Sequence, residues 1–253
     1  MVKADVRQLS VAKLLFLAFF PGIMLLGGYF ALLSAREFIP PLLSLLGLAL
    51  IILVPILILI IGYYSKQEYG TFSLKSAFVY NNSIPAGKLL LKSIIPFALA
   101  AMIFVLVAPI ENHVMFSSIF SFVPEYFKLS DFLNQLGQYS RGIIIATCVV
   151  YCISNGIIAP IAEELYFRGF LMPRIARFGK AAPVIIGVLF SLYHLFSPWE
   201  NITRILAVIP YHYVVWKNKN IYIGIIVHCS LNLVSCVTTV LSVVNGMHLI
   251  GKL

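Results

Sequence analysis

Seven runs of predominantly apolar residues recur along the chain, near residues 9–33, 41–63, 89–110, 141–162, 181–197, 201–216 and 221–244. A hydrocarbon layer about 30 Å thick is crossed by roughly 20 residues of α-helix, and inside it a helix satisfies every backbone N–H and C=O by itself. These runs therefore predict an all-α fold, a polytopic membrane helix bundle of about seven (six to eight) transmembrane helices. With 61% hydrophobic residues and 11% charged ones, the chain has too little polar surface to cover a soluble globule. No polar stretch is long enough to fold separately, so residues 1–253 read as a single membrane domain. The first run is longer than the apolar part of a signal peptide and lacks a small-residue cleavage site, so it is expected to remain as a span. Neither end carries a lipidation motif.

Orientation follows from Lys and Arg. On one side of the seven spans fall Lys3, Arg7, Lys13, Lys66, Lys75, Lys88, Lys92, Arg168, Arg174, Arg177, Lys180, Lys217 and Lys219; on the other fall Arg36, Lys128, Arg141, Arg204 and Lys252. Thirteen against five predicts a multi-pass protein of the cell membrane with a cytoplasmic N-terminus and, with seven spans, a C-terminus outside. An eighth span within 111–140 would reverse the second conclusion. The net charge of +9 is scattered at the ends of apolar runs, which predicts contact with the lipid bilayer and no nucleic-acid partner. Cys148, Cys152, Cys229 and Cys236 lie in apolar helical context without CxxC spacing and read as small packing residues.

The fifth and sixth runs are short and are joined by the polar turn Ser197-Pro198-Trp199-Glu200-Asn201, so this pair is expected to sit sunk within the bundle. Pro21, Pro55 and Pro96 predict kinks. Residues 111–140 and 64–88 mix aromatic with polar residues and read as interfacial segments. There is no internal repeat.

Ionisable residues inside such a chain need a reason, since one at bilayer depth costs at least about 2.5 kcal/mol. Three patterns place two polar or aromatic residues at i and i+4, on one helix face. In Glu163-Glu164-x-x-x-Arg168, Glu164 is placed to pair with Arg168, and Glu163, about 100° further round, faces elsewhere. Phe190-x-x-x-His194 lies on the fifth run, where a lone histidine would ordinarily be a packed core residue. His228-x-x-x-Asn232, on the last run, can aim two donors at one developing oxyanion or simply join helices by hydrogen bonds. His113 and His248 fall at interfaces, His212 near the cytoplasmic end of the sixth run, and Asn112, Asn134 and Asn155 in loop or turn context.

Together, in this order on successive helices, the patterns resemble the signature of the CAAX-protease and bacteriocin-processing family of intramembrane endopeptidases, also called Abi, which includes the Ras and a-factor converting enzyme. Pro160-x-x-Glu163-Glu164-x-x-Phe167-Arg168-Gly169 matches beyond the minimal motif. The likeness covers residues 140–236, making 141–244 the expected catalytic core and 1–140 a variable set of helices. It implies an intramembrane peptidase of the bacterial cytoplasmic membrane, cleaving a small membrane-associated peptide or protein precursor: bacteriocin or signalling-peptide maturation, or CAAX-type processing. By resemblance, Glu163 and His194 activate a water, His228 and Asn232 stabilise the oxyanion, and Glu164 and Arg168 support the site. This reading needs no cofactor and no metal. A zinc-dependent mechanism with Glu163, His194 and His228 as ligands is the alternative. A membrane scaffold, an immunity protein or an ion-coupled carrier could use the same buried polar groups. The oligomeric state leaves no sequence signal.

Straight crossings would leave Glu163 near the cytoplasmic face and His194 near the outer one. The chemistry therefore requires the Glu163 helix to continue through Arg168 toward about Arg177, bent near Gly156 and Pro160, with the fifth run offset toward it. The resulting polar cavity is expected to open to the cytoplasmic side.

Overall fold

The computed structural model describes residues 6–249 and 251, without the side chains of Leu129 and Ser130. It is an all-α bundle of seven long helices and short connecting turns, with no strand among the described residues. The helices are α1 (Val11–Leu32), α2 (Pro41–Tyr69), α3 (Ala86–Ser117), the short α4 (Leu129–Asn134), α5 (141–171), α6 (Ala182–Leu192), α7 (Asn201–Asn218) and α8 (Tyr222–Leu249). Their starts have local causes. Ser10 and Ser140 cap α1 and α5 by accepting from the N–H groups of Lys13 and Ile143. Proline opens α2 at Pro41, where the missing N–H has no partner to lose.

Five stretches among the described residues are long and apolar enough to cross a membrane: Val11–Ala35, Pro41–Tyr69, Ala86–Ser117, Arg141–Leu192 and Tyr222–Leu249. The fourth contains two of the expected runs, α5 and α6, separated by non-helical backbone at Ile175 and Gly179. Helix α7 corresponds to the sixth run but carries Arg204 and Lys217 and falls outside the five. Residues 118–140 hold only short turns and α4, so no eighth span lies there.

Two prolines shape the middle of the bundle. Proline removes an intrahelical donor and crowds the carbonyl four residues earlier. Pro55 and Pro160 are each preceded by a π turn, Ala49–Leu53 and Ser154–Ile158, which contains that earlier residue. The distortion expected near Gly156 and Pro160 thus takes the form of a wider turn. The distorted segment of α5 is tied to α2 just ahead of that helix's own π turn, where Ser154 Oγ donates to the carbonyl of Leu46 at 3.0 Å.

One end of the bundle is knitted shut. There Leu9 N–H donates to Arg174 O at 2.9 Å, Ile221 N–H to Tyr80 O at 3.0 Å, and Asn82 N–H to Lys219 O at 2.9 Å. Arg174, fully buried, donates to both oxygens of Glu68 and to the carbonyls of Ser76 and Phe170. Residues 64–88, expected at the interface, are for the most part exposed and tuck Ala77 and Tyr80 into this end of the core. At the opposite end, Tyr139 Oη donates to Arg36 O, and Phe127 packs edge-on against Tyr29. Trp199 packs there against Phe116, tilted, and Phe120, edge-on.

Candidate active site

The site forms where α5, the end of α6 and α8 meet. Helix α5 carries Glu163 as the last residue of a short α turn, Ala159–Glu163, and Glu164 as the first residue of a second π turn, Glu164–Leu171. This registry changes the expected division of the two carboxylates. Both address one imidazole: His228 Nδ1 donates to Glu164 Oε1 at 2.9 Å, and His228 Nε2 lies 3.8 Å from Glu163 Oε2. Glu163 therefore does not face away from its neighbour.

Glu164 keeps its expected partner as well. Arg168 Nη1 lies 3.1 Å from Glu164 Oε1, and both side chains are fully buried. Arg168 also donates through Nε to His212 Nε2 at 2.6 Å and through Nη2 to Tyr211 Oη at 2.5 Å. His212 Nδ1 lies 3.2 Å from the carbonyl of Pro183, so the proton sits on Nδ1 and Nε2 accepts. Tyr211 Oη in turn donates to Glu164 Oε1 at 3.3 Å. The Arg168 guanidinium rests over the Phe190 ring, 4.0 Å from its centroid. Arg168 thus keeps its expected pairing with Glu164 and is held besides by groups of α6 and α7.

The convergence problem is solved by the length of α6. Eleven residues rise only about 16 Å, about half a bilayer core. The helix leaves the sealed end, stops at Leu192, and delivers Tyr193 and His194 to mid-depth. Tyr193 Oη then donates to Glu163 Oε1. His194 Nδ1 lies 2.7 Å from the carbonyl of Phe190 and so carries the proton, leaving its Nε2 with a free lone pair. The close crossing of α1 over this turn depends on Gly22, where a Cβ would lie 2.2 Å from the Tyr193 carbonyl oxygen. Gly224 on α8 plays the same part for the carboxylates: a Cβ there would lie 2.3 Å from Glu164 Oε2.

Glu163, His194, His228 and Asn232 all line one cavity of about 380 Å³. Asn232 Nδ2 donates to the carbonyl of Asn155 at 2.8 Å, leaving its second amide hydrogen unclaimed. Asn155, expected in a loop or turn, lies in the first π turn of α5. The remaining wall includes Arg204 of α7, whose guanidinium donates to Ser197 Oγ at 2.8 Å and Glu200 Oε2 at 3.2 Å.

Tyr193, Tyr211, His212, Asn155 and Arg204 were not singled out from sequence as members of the site. Tyr193 had one local signal, its adjacency to His194; Arg204, Tyr211 and His212 arrive from α7 and Asn155 from two turns earlier on α5, and no spacing announces them. Among the described residues no group of three His, Cys, Asp or Glu side chains is gathered closely enough to hold a metal ion, the trio Glu163, His194 and His228 included.

The pattern of type II CAAX prenyl endopeptidases described as Rce1-like matches residues 143–234, which contain all three motifs. The UPF0177 protein YxdF of Lactococcus lactis subsp. lactis (strain IL1403) is 32% identical over 184 residues, spanning 72% of this chain and 89% of that protein. No solved structure matches the chain. A relative aligned along most of both chains, with an endopeptidase match over the helices that build the cavity, places this chain in the CAAX-protease and bacteriocin-processing family of intramembrane proteases.

Proposed function

We propose that the protein is a glutamate-type intramembrane endopeptidase that cleaves a small membrane-associated peptide or protein precursor. The observation that carries this reading is the shared cavity: Glu163, His194, His228 and Asn232, drawn from α5, the turn after α6, and α8, line one space large enough for water and a peptide segment. In this reading Glu163, oriented by Tyr193, removes a proton from a water that His194 Nε2 also holds. The water oxygen attacks the scissile carbonyl, and the proton is passed to the departing amine. His228, fixed at Nδ1 by Glu164, donates through a protonated Nε2 to the oxyanion, beside the free amide hydrogen of Asn232. Glu164, Arg168 and His212 hold these groups in place from outside the cavity, and Tyr211 does so from its wall. The setting is the bacterial cytoplasmic membrane with a cytoplasmic N-terminus, in keeping with the Lys and Arg count and a bacterial relative.

The test is reconstitution of the purified protein with candidate precursor peptides. Glu163→Ala and His194→Ala should each abolish processing, and His228→Ala should slow it by about 10² or more, as loss of an oxyanion donor does. Tyr193→Phe should lower kcat with KM little changed, because it frees the carboxylate without touching the peptide. Unchanged processing by Glu163→Ala would end this assignment. Inhibition by a chelator, reversed by zinc, would instead select the metal mechanism. Ion-coupled transport that survives His228→Ala would select a carrier.

A further inference from the structure

We infer that the cavity opens on the outer face of the membrane, so that the substrate is a peptide with apolar side chains presented from outside the cytoplasm and not a cytosolic protein C-terminus. The substrate part of this inference rests on the protease reading; the direction of opening does not.

Helix α3 separates the two ends of the bundle by about 48 Å, its 32 residues rising about 1.5 Å each. Among the described residues, the non-buried Lys and Arg at the end where α3 begins are Arg7, Lys13, Lys66, Lys75, Lys88, Lys92, Arg177, Lys180, Lys217 and Lys219; at the other they are Arg36, Lys128 and Arg141, with Lys3 and Lys252 outside the described residues. Ten against three identifies the first as the cytoplasmic end. It is also the sealed end, where Ala77, Met172 and Ile175 are fully buried and the connections between helices are hydrogen-bonded to one another. No residue of segments 64–88, 165–189 or 212–227 lines the cavity.

From Glu163 and His228 the lining runs the other way, to Tyr126, Phe127, Lys128, Trp199 and Glu200. Lys128, Trp199 and Glu200 also border a second, open cavity of about 710 Å³ beside the end of α3, lined further by Asn112, His113 and Phe116. The two cavities share Lys128, Trp199 and Glu200 at the Lys- and Arg-poor end. A cytoplasmic N-terminus and a cavity open to the cytoplasm, both expected from sequence, therefore exclude each other. The wall chemistry says what fits: Leu25, Leu42, Leu46 and Leu53 line the cavity together with polar groups of α5 and α8, so a peptide finds apolar contacts for its side chains and hydrogen-bonding partners for its carbonyls.

The experiment is thiol labelling with a membrane-impermeant maleimide in intact cells and after permeabilisation. Ser121→Cys, just past the end of α3, and Ser83→Cys, just before its start, are conservative changes at exposed positions. They are made in a chain whose four native cysteines are replaced by Ala. If that chain does not accumulate, they are made in the native background, with the unsubstituted protein as the blank. Ser121→Cys should label in intact cells and Ser83→Cys only after permeabilisation. The reverse pattern would overturn the proposal, as would labelling of both positions only after permeabilisation. Neither readout requires activity, so a wrong orientation and a wrong assignment of the protease are separable. In right-side-out vesicles, a fluorogenic peptide of apolar residues added outside should be cleaved by the native protein and not by Glu163→Ala. Cleavage only in inverted vesicles would sink the substrate class.

Discussion

The two ends of the bundle use the same kinds of residue to opposite effect. At the sealed end a buried cation, Arg174, is closed over by the Glu68 carboxylate and two carbonyls, with the Phe170 ring 4.1 Å from its guanidinium carbon. At the open end Lys128 pairs with an exposed Glu125 and lies over Phe116, at the rim of a cavity. Cation, carboxylate and aromatic ring occur in both. The difference lies in what surrounds them: chain crossings at the sealed end supply backbone acceptors and exclude water, whereas the open end leaves its pair in the solvent's reach. A polar cluster closes a membrane protein only where the backbone completes it.

The comparison can be broken by removing one carboxylate at a time. Glu68→Ala strands a fully buried guanidinium and should destabilise the protein by about 3–5 kcal/mol, read by thermal unfolding in detergent. A loss below about 1 kcal/mol would show that the sealed end is held by packing alone. Next in size is Glu111→Ala. Its two oxygens accept the N–H groups of Ile202 and Thr203 at the start of α7, at 2.8 and 2.7 Å, so its loss should cost about 0.5–2 kcal/mol. It should also loosen the turn that carries Trp199, visible as a red-shifted tryptophan emission. The smallest effect belongs to Glu125→Ala, which removes an exposed pair and should change stability by about 0–1 kcal/mol, less in high salt. A large loss there would mean that the open end is as tightly built as the sealed one.

How much of this was legible beforehand differs from residue to residue. Glu164 and Arg168 were readable because an i, i+4 pair is a property of one helix. His228 and Asn232 were readable as a pair for the same reason, but the acceptor of Asn232, the carbonyl of Asn155, lies 77 residues away and has no local trace. The expectation that Glu163, about 100° round from Glu164, faces elsewhere considered one helix alone; His228, arriving from α8, lies within reach of both carboxylates. His194 looked too far along its run to meet Glu163. The run ends early as a helix, and its first turn begins deep in the sealed end.

By itself, the sequence determined that the chain is an all-helical membrane bundle, since continuous apolar runs of about 20 residues satisfy their backbone in lipid as helices, where the strands of a barrel would be shorter and alternating. It also determined which polar residues had to be explained, because a charge is expensive wherever the hydrocarbon lies. Only the tertiary structure decided that the motifs share a cavity, that Tyr193 completes the Glu163 environment, and that this cavity runs toward Trp199 and away from Arg174. Those outcomes depend on how wide turns and helix crossings place residues from separate helices. Hydropathy records depth in the membrane; it carries no term for which helix faces which.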